Sequence, residues 1–327
     1  PPDRRVVFSP AALLSLKEQY PQVEFKVESS DIRVFSDEEY TQLGIEVVND
    51  VSDCDVLLGV KEVPVDYLIP NTSYFFFSHT IKKQPYNRAL LQTVLKKNIS
   101  LFDHETIVDA NDKRLIGFGK YAGIVGTYNA FRAFGIKFEL FKLPKAETLD
   151  GKEALITYLK RPVLPPVKIV VTGTGKVGSG CKEILDAMKV KQVSVDHFLS
   201  KNFTQPVYVL IDVLDYNKRL DGESKDNIDF YKHPKEYKSG FERFTKVADI
   251  AIMGHFHANE APTILSQEML NASNCKIKVV ADISCDVNGP VACTLRATTI
   301  EEPFYGYLPS SHTEVDLFHP ADIVVMA

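Results

Sequence analysis

A glycine-rich loop between a strand-like and a helix-like segment is the feature that most constrains the fold of this chain. In residues 167–180, VKIVVTGTGKVGSG, β-branched residues run directly into Gly173-x-Gly175-x-x-Gly178, and the amphipathic segment CKEILDAMK follows. A strand, such a loop and a helix, in this order, are typical of the first βα unit of a Rossmann sheet. The sequence therefore predicts that this loop binds a dinucleotide.

Each position of the loop has a distinct role in this interpretation. Gly173 makes the tight turn, Gly175 lets the backbone approach the pyrophosphate, and Gly178 allows close packing of helix on strand. Lys176 and Val177 open the helix, whose first N–H groups face the phosphates. We therefore expect these five residues to bind the cofactor.

A carboxylate downstream of the loop bears on the choice between NAD and NADP. Asp196 follows the short strand candidate KQVSV, where a carboxylate can accept hydrogen bonds from both ribose hydroxyls of NAD. The alternative is an ordinary surface Asp at the end of a strand. We expect NAD or NADP as the cofactor, with NAD slightly favoured because the carboxylate would repel a 2′-phosphate.

A second glycine pattern competes with the first. Gly117-x-Gly119-x-x-Ala122 also follows a strand-like segment and precedes a helix. Lys120 and Tyr121 would crowd the phosphates there, and the preceding segment KRLI is short and charged. The loop at Gly173 is therefore the favoured phosphate loop, and the pattern at Gly117 is the alternative.

Length and composition exclude several classes of protein. A chain of 327 residues is long enough for two domains. Its net charge of −5 and the absence of a basic patch argue against a nucleic-acid partner. Its apolar runs are shorter than the roughly 18 residues of a membrane span, and no signal peptide opens the sequence. We expect a cytoplasmic protein with no membrane partner, and a homo-oligomer remains open.

Cysteine and histidine usage gives no indication of a metal. The five cysteines form no C-x-x-C pair, which is typical of reduced thiols. His255-x-His257 looks like a pair of ligands, but no third ligand stands nearby in the sequence, so no metal site is predicted. The chain begins without Met and ends in the strand-like run DIVVMA, so we expect the natural protein to extend beyond both ends.

Polar residues follow three of the predicted strands at the point where each ends. Lys61 and Glu62 follow CDVLLGV, and the run Ser78–Lys82 starts at the last residue of YFFFS. Asp282 follows KIKVVA directly, and Asp286 lies four residues further on. Ligands of open α/β sheets bind at this edge. Each signal is weak by itself, because a lysine there is usually solvated, a histidine is usually a core residue and an aspartate often caps a turn.

Together these segments resemble a known family. The matching segments, in the family's order, are RRVVFSP, LLGVKEVP, FFFSHTIKKQ, LFDHETIVD, GFGKYAGIVG, the GTGKVG loop, and ADISCDVNGP followed by TTIEEPFYGY. The family comprises lysine-forming saccharopine dehydrogenase and lysine–ketoglutarate reductase, relatives of alanine dehydrogenase and of the nucleotide-binding part of transhydrogenase. Its loop often reads G-K-G-R-V-G, whereas Thr174 and Lys176 stand here, which leaves the choice between NAD and NADP open.

The resemblance implies roles for particular residues. Lys61 and His79 correspond to the acid–base pair of the family, and Asp286 to the aspartate beside the nicotinamide. Arg5 corresponds to the arginine that holds a substrate carboxylate. Lys82 is a further expected substrate-binding residue, and Asp282 a further expected cofactor-binding residue.

The resemblance also implies the architecture. We expect an α/β protein of two Rossmann-like domains, each a parallel sheet flanked by helices, with the active site in the interdomain cleft. Residues 122–299 would form the dinucleotide-binding domain. Residues 1–121 and 300–327 would form a discontinuous substrate domain, to which the chain returns through a long helix.

The implied activity is NAD(P)-dependent chemistry at a C–N bond. In the best-known members, the ε-amine of lysine condenses with 2-oxoglutarate and NAD(P)H reduces the imine to saccharopine, or the reverse occurs. Small-molecule amino acids and 2-oxo acids would then be the substrates. One alternative is an alanine dehydrogenase-like enzyme, and another is a catalytically silent nucleotide-binding regulator on the same fold.

Overall fold

The computed structural model describes residues 3–83, 85–112, 114–223, 226–257, 260–320 and 323–327. These residues divide into two compact units, Pro1–Gly117 and Phe118–Ala327, which are called the first and the second unit below. None of the helices in these ranges is both long and apolar enough to cross a membrane.

The first unit alternates strands with helices. Its elements, in chain order, are α1 (Pro10–Gln19), β1 (Lys26–Glu28), α2 (Asp37–Thr41), β2 (Glu46–Val48), β3 (Val56–Lys61), β4 (Ser73–Phe77), α3 (Arg88–Lys96) and β5 (Ser100–Asp103). Strands β1 and β2 pair in parallel, and β3, β4 and β5 form a three-stranded parallel sheet in that order. Single 3₁₀ turns at Val65–Tyr67, Thr80–Lys82 and Pro85–Asn87 complete it.

The helix α3 connects β4 to β5 and covers one face of the sheet. Leu90 and Val94, one helical turn apart, are buried against Tyr74 and Phe76 of β4. Parallel strands need such a crossover connection. The carboxyl ends of β3, β4 and β5 therefore meet at one edge.

The second unit is larger and begins with a long helix. Its helices are α4 (Gly119–Lys137), α5 (Lys152–Leu159), α6 (Lys176–Ala187), α7 (Val195–Ser200), α8 (Val213–Tyr216), α9 (Asn227–Lys232), α10 (Glu242–Thr245) and α11 (Gln267–Asn271). Its strands are β6 (Lys168–Thr172), β7 (Lys191–Gln192), β8 (Val207–Ile211), β9 (Asn217–Arg219), β10 (Tyr237–Ser239), β11 (Ile250–Met253), β12 (Val279–Asp282), β13 (Tyr305–Leu308), β14 (Thr313–Val315) and β15 (Ile323–Met326).

An eight-stranded sheet forms the centre of the second unit, in the order β14-β13-β15-β12-β11-β6-β8-β7. The six strands from β15 to β7 are parallel, and β13 and β14 are antiparallel. Alternate residues of β6 are buried in two different cores, Val170 in one and Ile169 and Val171 in the other. A parallel sheet buried on both faces explains why its strands are continuous apolar runs. The predicted α/β class with parallel sheets flanked by helices is confirmed.

Residues 300–327 do not return to the first unit in the described part of the chain. Strand β15 pairs in parallel with β12, so that Val279 lies opposite Val324, and β13 pairs with β15. The run IVVM of β15 is buried, as expected for an inner strand of a parallel sheet. The expectation of a long helix leading back to the substrate domain is therefore wrong for these residues, which extend the sheet of the second unit instead.

The alternative glycine pattern opens a packing helix. A Cβ atom at Gly123 of α4 would lie 2.0 Å from the carbonyl oxygen of Val177, and one at Gly180 of α6 would lie 2.0 Å from that of Lys120. Glycine is required at both positions because the two helix backbones touch there. The residues before α4 form an isolated bridge between Val108 and Arg114, and not a strand of either main sheet.

Candidate active site

Lys61 ends a strand that contains a β-bulge. Leu58 of β3 pairs with Phe75 and Lys61 pairs with Phe77, so that two residues of β3, Gly59 and Val60, face one residue of β4. A bulge of this kind bends the strand and changes the direction of the side chains that follow. Lys61 therefore owes its direction to the bulge, and its side chain is exposed at the carboxyl edge of the sheet.

His79 follows β4 with a left-handed backbone, at φ 55° and ψ 8°. For a residue other than glycine this conformation costs of the order of 1 kcal/mol and persists only where the surroundings fix it. Here Ser78 fixes it, since its hydroxyl donates to Asp103 Oδ2 at 2.5 Å and its carbonyl accepts from Asn87 Nδ2 at 3.1 Å. The 3₁₀ turn Thr80–Lys82 follows directly.

Lys61, His79 and Glu105 form a chain of contacts at this edge. The Nε2 atom of His79 lies 3.4 Å from Lys61 Nζ, and its Nδ1 atom lies 3.2 Å from Glu105 Oε2. The Glu105 side chain is only 9% exposed. In the tautomer of His79 that has its proton on Nδ1, this N–H donates to the Glu105 carboxylate and the unprotonated Nε2 faces the lysine. A proton can then pass between the imidazole and a group bound beside Lys61.

Glu105 was not among the residues singled out from the sequence. It follows β5, the third strand of the three-stranded parallel sheet, in the segment LFDHETIVD. Its backbone N–H donates to Asp103 Oδ1 at 2.8 Å, and Arg114 lies 3.7 Å from its second carboxylate oxygen. The rule that polar residues matter where parallel strands end would have found it.

Arg5 is bound to an aspartate of its own unit. Its Nε and Nη2 atoms lie 2.9 Å and 2.5 Å from the two carboxylate oxygens of Asp3. The Arg5 guanidinium, and to a lesser degree the Lys61 ammonium, hold the pKa of Asp3 below its ordinary value against the opposing effect of burial. Asp3 therefore lies in the field of both cations. Lys82 lies in the turn Thr80–Lys82, and its side chain is outside the described part of the structure.

The glycine loop of the second unit has the predicted strand–loop–helix geometry. Gly173 has a φ of +88°, and a Cβ atom at Gly178 would lie 1.9 Å from the Gly173 carbonyl oxygen, so a side chain is excluded there. Among the described residues, nothing lies within 4 Å of a Cβ built on Gly175, which leaves room for a ligand. Lys176 opens α6 with its side chain exposed, and the Val177 side chain packs against Gly254.

The carboxylate beside the glycine loop is Asp212. Strand β8, and not β7, is the neighbour of β6, and Asp212 follows β8 directly. Its Oδ2 atom lies 3.4 Å from the hydroxyl of Thr174 and accepts from Asn227 Nδ2 at 3.0 Å. Asp196 lies in the first turn of α7, behind the edge strand β7. The structure therefore brings Asp212 rather than Asp196 to the loop.

Asp282 and Asp286 occupy different environments behind β12. Asp282 is fully buried, and its two oxygens accept from the hydroxyls of Ser284 and Thr294, each at 2.6 Å. Burial raises the pKa of this carboxyl group. We therefore assign Asp282 to the stability of the loop rather than to the cofactor. Asp286 is exposed at the end of that loop, at the same edge of the sheet as the glycine loop.

His255 behaves as a core residue. It follows β11, its Nδ1 atom lies 3.0 Å from the hydroxyl of Thr172, and burial lowers its pKa to about 3. His257 is half-buried; burial lowers its pKa, and the charge of Asp286 partly offsets this effect. The His255 side chain is buried more deeply, so the two imidazoles lie in different environments.

Comparisons with known proteins show what this chain is similar to. Residues 1–125, which include Lys61, His79 and Glu105, match the family described as "Alanine dehydrogenase/PNT, N-terminal domain". Alpha-aminoadipic semialdehyde synthase of Arabidopsis thaliana is 29% identical over 92% of this chain and 32% of its own length. Saccharopine dehydrogenase [NAD(+), L-lysine-forming] of Yarrowia lipolytica is 24% identical over 85% of the chain and 71% of its own length. The resemblance to the saccharopine and alanine dehydrogenases is confirmed.

The solved structure of an L-alanine dehydrogenase shares the fold. It superimposes with a TM-score of 0.60 at 16% identity, over 99% of this chain and 79% of its own. This chain spans 32% of the length of the Arabidopsis alpha-aminoadipic semialdehyde synthase and 35% of the length of the bovine one, with which it is 28% identical.

Proposed function

We propose that this chain is an NAD(P)-dependent oxidoreductase that acts on a C–N bond in the manner of saccharopine dehydrogenase. The observation that carries the proposal is the contact chain Lys61–His79–Glu105 at the carboxyl ends of β3, β4 and β5. It supplies a cation and a proton carrier side by side. Condensation of an amine with a 2-oxo acid needs both.

His79 and Lys61 divide the proton transfers of this condensation. When the amine attacks the carbonyl carbon, the carbonyl π electrons move to oxygen, which takes a proton from the Lys61 ammonium. The nitrogen loses a proton to His79 Nε2. His79 then returns a proton to the hydroxyl, which leaves as water while the nitrogen lone pair forms the C=N bond of an iminium ion. The exposed Lys61 amine regains its proton from solvent. The Glu105 carboxylate stabilises the imidazolium that exists between the two steps.

Arg5 would hold a carboxylate of the substrate. Its planar guanidinium suits a bidentate carboxylate, and Asp3 holds it in that geometry. A substrate carboxylate would therefore replace Asp3 on Arg5, close to the field of Lys61. This role, like that of Lys82 in substrate binding, is a proposal from the family pattern.

The second unit would hold the cofactor. The residues of the loop Gly173–Gly178 fit a pyrophosphate, because Gly175 leaves open space and no side chain caps the N-terminus of α6 in the described residues. NADH or NADPH, when bound, supplies the hydride that reduces the imine carbon. We assign the ribose to Asp212, and this predicts a preference for NAD, because the carboxylate would repel a 2′-phosphate. Asp286 would lie beside the nicotinamide.

The test is a substrate panel with purified protein. Oxidation of NADH and NADPH is followed with 2-oxoglutarate and a series of amines that includes lysine, and with pyruvate and ammonia. Turnover with 2-oxoglutarate and lysine supports the proposal, whereas turnover with pyruvate and ammonia supports an alanine dehydrogenase-like enzyme, as the matched family name suggests. Binding of cofactor without any turnover would identify a silent regulator. The His79→Gln variant is the control for contaminating activity.

The cytoplasmic location and the oligomeric state remain predictions. Fractionation of cells that express the tagged natural protein tests the first. Light scattering of the purified protein tests the second.

A further inference from the structure

Three consecutive residues at the carboxyl end of β5 each contact a different part of the candidate site. Asp103 accepts from the Ser78 hydroxyl at 2.5 Å, and Glu105 contacts His79 at 3.2 Å. Between them, the Nε2 atom of His104 lies 3.1 Å from the carbonyl oxygen of Gly59. Gly59 belongs to the bulge of β3, two residues before Lys61. The contacts of Asp103 and Glu105 hold Ser78 and His79, whereas the contact of His104 holds the strand that carries Lys61.

The geometry points to His104 as a positioning residue for Lys61, through a hydrogen bond that holds the bulge of β3. This inference rests on the proposed function only for its kinetic test, because the labelling of Lys61 needs no turnover. Strand β4 lies between β3 and β5, so the His104 side chain spans one strand to reach Gly59. On the way its ring packs edge-on against Phe77, with the centroids 5.1 Å apart, and Phe77 is the residue that pairs with Lys61.

The protonation state of the His104 ring follows from its surroundings. A carbonyl oxygen only accepts, so Nε2 must carry the proton and donate it to Gly59. The ring is 7% exposed, and its Nδ1 atom has no hydrogen-bond partner among the described residues. A buried nitrogen without a partner costs free energy. The site holds a histidine despite this cost, and the one hydrogen bond of its ring among the described residues is the bond to the bulge.

A bulge needs such a bond because it interrupts the regular ladder. The extra residue leaves backbone groups of β3 out of register with β4, and a buried carbonyl without a donor is costly. With the His104 bond, the bulge has one defined geometry, and Lys61 Nζ lies 3.4 Å from His79 Nε2. Without the bond, β3 can relax and the lysine can move away from the imidazole.

The test compares two amides at position 104. The amide nitrogen of glutamine reaches about as far as the ring Nε2, whereas that of asparagine reaches only as far as Nδ1. We expect His104→Gln to keep the bond to Gly59 and His104→Asn to lose it. Tyr74→Phe is the matched control, because it removes another buried hydrogen bond of the same sheet, from Ile69 N–H to the Tyr74 hydroxyl at 2.8 Å.

Two measurements are made on the full chain. The rate at which an amine-reactive reagent labels Lys61 is measured by mass spectrometry, with the other lysines of the same sample as internal references. The kcat and KM of the wild-type reaction are measured in parallel. In His104→Asn we expect faster labelling of Lys61 alone, and a kcat about 10- to 100-fold lower with a smaller change in KM, the effect of a misplaced group. His104→Gln should restore both values, and Tyr74→Phe should change neither.

Two outcomes would overturn the inference. In the first, His104→Asn shows the same Lys61 labelling rate and the same kcat as Tyr74→Phe. In the second, His104→Asn and His104→Gln are equally defective. If the wild-type protein shows no turnover, the proposed function fails, and the labelling of Lys61 still decides the role of His104. If His104→Asn does not fold, the comparison of His104→Gln with wild type decides it. Normal labelling then supports the bond, and altered labelling contradicts it.

Discussion

The left-handed backbone at His79 shows how this chain places a reactive side chain. The strain is balanced by the buried bonds of Ser78 to Asp103 and Asn87. The imidazole is thereby held between a cation and a carboxylate, at 3.4 Å from Lys61 and 3.2 Å from Glu105. Strain of this kind is found where geometry matters more than local stability.

Substitution of His79 should affect mainly kcat, whereas substitution of Lys61 should affect both kcat and KM. His79→Gln keeps size and hydrogen bonding but cannot carry a proton, so kcat should fall about 10²- to 10⁴-fold with little change in KM. Lys61→Met should alter both constants, because the lost charge acts in the ground state and in the transition state. The measurement is steady-state kinetics across a range of pH. If His79→Gln keeps the wild-type rate and pH profile, His79 is only a core residue.

Glu105→Gln tests the carboxylate behind His79. The amide keeps the shape of the side chain but removes the charge that stabilises the imidazolium, so we expect kcat to fall about 10- to 100-fold. Substrate binding should change less, because Glu105 is buried behind the histidine. Glu153→Gln, at an exposed position in α5, is the control and should leave kcat unchanged. An unchanged kcat in Glu105→Gln would show that the contact only supports the fold.

At the scale of elements, the order of strands decides which carboxylate meets the cofactor. The sequence suggests Asp196, because KQVSV is the next strand candidate after the glycine loop. In the structure this strand is a two-residue edge strand, and the longer β8 lies beside β6. Spacing along the chain does not contain this information, since strand order depends on how the crossover helices pack.

Asp212 should therefore determine cofactor preference. The wild-type protein is expected to prefer NAD, and Asp212→Ser should shift the preference towards NADP by about 1.5–3 kcal/mol, the range of a hydrogen bond to a charged group. Asp196→Ser is the matched control and should leave the preference unchanged. Dissociation constants of NADH and NADPH, measured by fluorescence titration, give the result. If Asp196→Ser changes the cofactor preference and Asp212→Ser does not, Asp196 rather than Asp212 binds the ribose.

Local patterns predicted much of the fold and part of the site. Apolar runs gave β3, β4, β6 and β8, and the glycine loop gave the start of α6, because these features depend on neighbouring residues. The bulge of β3, the pairing of β15 with β12 and the contact of Glu105 with His79 depend on residues that are distant in sequence. Such contacts require tertiary structure: the sequence indicates that Glu105 follows a strand, but not which side chain it contacts.

At the scale of the whole molecule, the chemistry divides between the two units. The proton-transfer residues Lys61, His79 and Glu105 all lie in the first unit. The glycine loop, Asp212 and Asp286 all lie in the second, whose sheet is buried on both faces by its own helices. A unit with a core of its own is expected to fold alone.

Residues 118–327, expressed alone, should therefore fold and bind NADH but show no turnover. The groups assigned to the pyrophosphate and the ribose are all present in this fragment. Circular dichroism tests folding, and titration calorimetry compares the NADH affinity of the fragment with that of the full chain. Gly175→Asp is the control in both, because a carboxylate in the open space of the loop would repel the pyrophosphate. A folded fragment that does not bind NADH, while the full chain does, would show that the first unit contributes to the cofactor site. Unchanged affinity in both Gly175→Asp proteins would place the phosphates elsewhere.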